Sequence, residues 1–146
     1  MKRICVIDGQ GGGIGGAVIK KLRETAGEEI EIIALGTNAI ATAQMLKARA
    51  NRGASGENAI VRTSSRVDVI ICPIGILMAH AMMGEVTPRM AEAVASSPAE
   101  KIILPLSQEN VTVAGVPDMP LPHLIEALIE KLLRLSGPSG KTMPAP

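Results

Sequence analysis

The segment Asp8-Gly9-Gln10-Gly11-Gly12-Gly13-Ile14-Gly15-Gly16 concentrates glycine more densely than any other part of the chain. Two spacings of known chemical use overlap in it. Gly11, Gly13 and Gly16 form G-x-G-x-x-G, and Gly9, Gly13 and Gly15 form G-x-x-x-G-x-G. Both patterns serve one physical need. Glycine permits positive φ, lets backbone approach a ligand closely, and lets a helix pack tightly on a strand. The helix that follows then offers unpaired N–H groups and a partial positive charge to an anion, usually a phosphate. The backbone amides from Gly11 through Ile14 to Gly15 are the candidate phosphate cradle. Asp8 precedes the loop and has three candidate uses: to bind a metal held by ligand phosphates, to accept a bond from a hydroxyl, or to order the loop. Gln10 is the polar side chain within the loop long enough to touch a ligand. A purely structural glycine turn is the competing reading.

Other residues narrow the chemistry. A dinucleotide site calls for Asp or Glu at the end of the second strand, or Arg for a 2′-phosphate. Here that place reads Leu35-Gly36-Thr37-Asn38, so only Thr37 and Asn38 could bond a ribose or a carbonyl. The chain has no Tyr, which removes a Tyr-x-x-x-Lys dehydrogenase. A nucleotide, another phosphorylated metabolite or a different small anion therefore fits better than redox nicotinamide chemistry. A Walker A loop also fails. Gly140-Lys141-Thr142 has its ending, but Leu135 stands where its first glycine belongs. Pro73 and Gly75 should form the far wall of the cleft. Cys72 beside them is either a reactive thiol or a packed small hydrophobe. His80 reads as packed among Met78, Met82 and Met83, and His123 as exposed. The run from Pro105 to Asn110 reads as a polar hairpin tip at the cleft edge. No paired carboxylates, Ser-His-Asp set or Cys/His cluster can be assembled from the sequence, so the catalytic residues of any enzyme are unknown.

The elements that must position these residues follow from periodicity. Residues 3–8 read as a short buried strand. Ile14, Val18, Ile19, Leu22 and Ala26 then recur at helical spacing, with Lys20, Lys21, Arg23 and Glu24 on the other face. Residues 31–35 form a second strand. Thr37 or Asn38 caps a helix whose stripe is Ile40, Ala43, Leu46 and Ala50. Ser55 caps a short helix from Glu57. Strands are predicted over 67–72, 101–106 and 111–114, and helices over 76–83, from Thr87-Pro88 to Ser96, and over 121–135. Strands alternating with helices imply an α/β fold. The expectation is a three-layer, Rossmann-like sandwich of about five strands, mostly parallel. The expected order is 2-1-3-4-5, with the fifth strand antiparallel at one edge because so short a link cannot cross over. Residues 1–136 form one domain, and the Pro/Gly/Ser-rich residues 137–146 a disordered tail.

Composition limits the partners. Lys plus Arg number 15 and Asp plus Glu 14 in 146 residues, a formal net charge of +1. That balance, with no Phe, Trp or Tyr, gives no footprint for nucleic acid. No run of about 18 apolar residues exists to span a membrane. Two cysteines are too few for a disulfide framework, and the expected location is cytoplasmic. The apolar run 76–83 and the doubly striped last helix carry more apolar surface than a sheet needs, which suggests a homodimer or a larger homo-oligomer.

Four motifs occur in order: Asp8 to Gly15, Ala34 to Thr42 (Ala-Leu-Gly-Thr-Asn-Ala-Ile-Ala-Thr), Gly56 to Val61 (Gly-Glu-Asn-Ala-Ile-Val), and Pro73 to Ile76. Together they resemble the bacterial family called domain of unknown function 3842, over about residues 1–135. The resemblance implies a small bacterial Rossmann-like protein, carries over no activity, and places Gly36-Thr37-Asn38 and Glu57-Asn58 in the motif set. Cys72 stands where that family more often has glycine, which weakens a thiol mechanism. The functional expectation is a sensor or accessory module binding a nucleotide or phosphorylated metabolite. An enzyme using Asp8 or Cys72, and a structural homo-oligomer with no ligand, are the alternatives.

Overall fold

A computed structural model describes residues 2–106 and 109–136. Five strands, β1 (Arg3–Asp8), β2 (Glu31–Gly36), β3 (Arg52–Ser55), β4 (Val69–Pro73) and β5 (Glu100–Leu104), form one sheet in the order β3-β2-β1-β4-β5. All four pairings are parallel. Five helices connect and follow them: α1 (Gly13–Ala26), α2 (Ala39–Lys47), α3 (Glu57–Thr63), α4 (Pro88–Ala95) and α5 (Leu121–Ser136).

The central strands β1, β2 and β4 are buried on both faces, as the middle of a parallel sheet must be. Ile4, Val6, Ile32, Ala34, Val69 and Ile71 point to one face. They pack under Val18, Ile19 and Leu22 of α1, Met45 of α2, and Leu124 and Leu128 of α5. Their neighbours Cys5, Ile7, Ile33, Leu35, Ile70 and Cys72 point the other way, toward Ile60 of α3 and Met90 and Val94 of α4. The result is three layers. With no aromatic ring available, the largest fully buried side chains are Ile, Leu, Val and Met45, and each contributes about 1.5–3 kcal/mol.

Several expectations need correction. The strand order differs and the edge is not antiparallel. The short strand β3 takes the edge beside β2. Its Arg-Gly-Ala-Ser sequence is exposed throughout, so it carries no apolar alternation. Val111 to Ala114 joins no ladder. Glu109, just before it, accepts a 2.7 Å bond from the Met82 amide. That tie holds this stretch at the carboxyl end of the sheet instead of alongside β5. Residues 76–83 are not a helix either. A 3-10 turn over Ile74–Leu77 gives way to a looped segment with left-handed backbone at His80, Met82 and Met83.

The α2 stripe is also shifted. Asn38 caps the helix, its Oδ1 accepting from the Ala41 amide at 2.8 Å. This sets a register that buries Ala41, Thr42 and Met45 and leaves Ile40 72% exposed. Thr42 is tolerated inside because its hydroxyl meets Asn38 O, Ala54 O and Ser55 Oγ. Arg23, expected on the solvent face, is buried. Its guanidinium donates to the carbonyls of Arg49, Gly27 and Ile30 and to Asn51 Oδ1. In α5 Ile125 and Ile129 are buried beside Leu124, Leu128 and Leu132, whereas Leu133 of the second stripe is exposed. The expected tail and its Gly140-Lys141-Thr142 lie outside the described residues.

Candidate functional site

In an open parallel sheet the crevice lies beyond the carboxyl ends of the strands, where the winding reverses. Here that point falls between β1 and β4, because β2 and β3 lie on one side of β1 and β4 and β5 on the other. The glycine loop leaves β1 on one flank of the crevice. Pro73 and the 3-10 turn leave β4 on the other.

Asp8 ends β1 and is only 3% exposed. Its Oδ1 accepts from the Gly9 amide at 2.8 Å and its Oδ2 from the Gly15 amide at 2.7 Å. The carboxylate thus sits at the positive end of α1 and orders the loop, the third of its expected uses. Burial pushes its pKa above the ordinary aspartate value. The amides of Gly15, Gly9 and Ile14 pull the other way, and the charge of Glu85 adds to the rise.

The loop satisfies part of its own backbone. Gly12 N donates to Gly9 O at 3.0 Å and Gly16 N to Gly12 O at 2.8 Å. Among the described residues, no acceptor bonds the amides of Gly11 and Gly13. Both glycines are exposed, and a Cβ built on either meets nothing within 4 Å. Gly12 differs. Its φ is +73°, and a Cβ there would stand 2.7 Å from Ala41 O. Gly12 and Gly9 are glycines for packing, whereas Gly11 and Gly13 leave space open.

That space is a cleft of about 710 Å³. The loop from Asp8 to Ile14 forms one wall and Pro73 and Gly75 face it. His80, Met82, Met83 and Gly84 overhang it, and Leu106 and Glu109 stand at its rim. His80 is therefore not packed in the core as expected; it is exposed and lines the cleft. His123 is exposed at the start of α5. Of the run 105–110, Leu106 and Glu109 reach the cleft, and residues 107 and 108 lie outside the described part.

Gly36, Thr37 and Asn38 do not line this cleft. Gly36 is buried, and a Cβ there would collide with Thr42 and stand 2.5 Å from Asn38 O. The side chains of Thr37 and Asn38 turn to Glu85, a residue that no motif singles out. Glu85 Oε1 accepts from Thr37 Oγ1 at 2.6 Å, from Asn38 Nδ2 at 2.8 Å and from the Gln10 amide at 2.8 Å. Asn38 Nδ2 also donates to Gln10 O at 3.0 Å. Gln10, held from both sides, keeps a left-handed φ of +50°. Burial pushes the Glu85 carboxyl up, but the bonds from Thr37, Gln10 and Asn38 outweigh it and hold it below the ordinary glutamate value. Glu85 lies 75 residues from Gln10 in the chain, so no local spacing signals the contact.

Cys72 is 1% exposed and points to the α3/α4 face. Burial, and then the nearby Asp8 charge, push its thiol up to about 12. Such a thiol is not an activated nucleophile. Among the described residues no group of three or more His, Cys, Asp or Glu is arranged to hold a metal ion.

A doubly wound parallel sheet with a glycine loop at its switch point defines the class: an α/β domain of Rossmann-like topology. The chain belongs to the family described as Domain of unknown function (DUF3842), whose model matches residues 3–136. No curated protein matches it in sequence. Two of the solved structures that resemble it show the range. One is a dodecameric FMN-dependent UbiX-like decarboxylase from Escherichia coli O157:H7, at 17% identity and a TM-score of 0.56, covering 97% of this chain and 96% of that one. The other is apo saccharopine dehydrogenase (L-Glu forming) from Saccharomyces cerevisiae, at 15% identity and a TM-score of 0.49. That match covers 75% of this chain but only 23% of the dehydrogenase. At such identities the likeness is one of fold.

Proposed function

We propose that this protein binds a nucleotide or another phosphorylated metabolite in the cleft between the glycine loop and the 73–84 segment, as a cytoplasmic sensor or accessory module. The observation that carries the reading is that Gly11 and Gly13, whose amides bond no acceptor among the described residues, line a cleft of about 710 Å³ at the β1/β4 switch point. The phosphate would lie on these two amides and on the first turn of α1. Pro73 and Gly75 would bound the rest of the ligand, with Gln10 and His80 within reach of it. Thr37 and Asn38 would act on the ligand only through Glu85. The resemblance to an FMN-dependent decarboxylase makes flavin mononucleotide a sensible first probe.

A structural role for the loop draws on one observation. Asp8 already supplies a negative charge to the start of α1. An enzyme working through Asp8 would have to release those same amide bonds, so binding is the stronger reading. A homo-oligomer remains part of the proposal, on the exposure of Ile40, Met83 and Leu133; light scattering on the purified chain tests it.

The binding reading is tested by following backbone amide resonances while FMN, AMP or inorganic phosphate is added. Gly11, Gly13 and Gly75 should shift first and saturably, while Gly27 and Gly115 stay in place. Uniform small shifts, or none, would refute it.

A further inference from the structure

We propose that Glu85 restricts the cleft to ligands of one nucleotide unit and one phosphate, by filling the part of the crevice beside β2 that a second nucleotide would need. The inference deepens the reading above and rests on it.

In a doubly wound dinucleotide site the second ribose reaches the end of β2, where an acidic side chain or an arginine receives it. In this chain that place is taken. Thr37 Oγ1 and Asn38 Nδ2 both donate to Glu85 Oε1, and Asn38 Oδ1 is used by the Ala41 amide. The space over Gly9 is filled as well. A Cβ there would stand 2.5 Å from Met82 Sδ, 2.6 Å from Thr37 Oγ1 and 3.2 Å from Glu85 Oε1. The 82–85 segment therefore packs directly on the loop where a pyrophosphate would continue toward β2. It is tied at its other end through the Met82 amide to Glu109.

Charge points the same way. The described lining of the cleft includes the carboxyls of Asp8 and Glu109 and no Lys or Arg. Lys20, Lys47 and Arg49 line a separate groove between α1 and α2, which shares only Gly13 with the cleft. Two backbone amides and a helix start can offset one phosphate group. A second phosphate would meet the Glu85 carboxylate, with no Lys or Arg in the described lining to offset it, and juxtaposed like charges oppose binding.

The test is isothermal titration of the wild-type protein, in buffer containing magnesium, with three matched pairs: FMN and flavin adenine dinucleotide, nicotinamide mononucleotide and NAD+, AMP and ADP. In each pair that binds, the smaller member should be tighter by at least about tenfold. Glu85→Ala should shrink that gap to under about threefold by opening the space. Glu85→Gln, which keeps the shape and removes the charge, should narrow the AMP/ADP gap and preserve the flavin gap. Equal affinity within a pair for wild type overturns the inference, even if a variant does not fold. An unchanged gap in folded Glu85→Ala overturns the role of Glu85. If none of the six binds wild type, the reading of the cleft itself falls, and this inference with it.

Discussion

Replacing Gly13 with Asp separates a ligand-binding loop from a merely structural one. Gly13 is the first residue of α1, is exposed, and has room for a side chain. The first turn of α1 holds no acidic residue. A carboxylate there gains about 0.3–1 kcal/mol from the helix dipole, partly offset by repulsion from Asp8. Net stability should change by less than about 1 kcal/mol, or about 4 °C in Tm for a chain of this size. Binding responds differently. A phosphate on the Gly11 and Gly13 amides would lie about 5 Å from the new carboxylate. At an effective dielectric constant of about 20 that repulsion is about 3 kcal/mol, more than a hundredfold in Kd. Gly13→Ala adds a methyl group without charge and should keep binding within a few fold. The assay is calorimetric titration with FMN or AMP, alongside thermal melts of all three proteins. The reasoning is refuted if Gly13→Asp melts like wild type and binds as tightly, or if it unfolds.

Other consequences follow from the same geometry. Arg23→Met strips the donors from the carbonyls of Arg49, Gly27 and Ile30 and should cost about 3 kcal/mol or more in denaturant melts; a loss under about 1 kcal/mol would mean that those bonds stabilise nothing. Glu85 has a folded pKa below its unfolded value, so its ionisation stabilises the fold above about pH 4.5, and that stability is lost as pH falls through the folded pKa. The stability gap between wild type and Glu85→Gln should therefore be full at pH 7 and close in acid; a gap that widens in acid reverses the assigned sign. Cys5 and Cys72 are buried with thiols held protonated, so neither should react with a thiol reagent at pH 8 until the protein is unfolded. Rapid labelling of Cys72 in the native protein would contradict its placement.

What the sequence reveals depends on how local the cause is. The strand before the loop, the glycines and α1 are written in adjacent residues, so β1, α1 and the position of the cleft were legible. The Asn38 and Thr87 caps were readable for the same reason, each bonding an amide three residues on. β3 was not readable, because an exposed edge strand needs no apolar alternation and its pairing is made of backbone alone. Residues 76–83 misled because a nearly all-apolar stretch fits a buried helix and a packed irregular loop equally well. Arg23 and Glu85 were missed for a common reason. Each is a charged residue whose partners lie far along the chain or are backbone groups, so periodicity assigns Arg23 to solvent and gives Glu85 no place.

The most direct test of the binding claim is what the protein carries out of the cell. Wild type and Gly13→Asp should be purified in parallel under non-denaturing conditions, matched for folding by circular dichroism, then denatured, and the released small molecules identified by mass spectrometry. The account predicts one phosphorus-containing metabolite released from wild type and depleted at least tenfold from the variant. Release of the same metabolite in equal amount from both proteins would contradict it, as would wild type that releases none and gains no thermal stability from any mononucleotide.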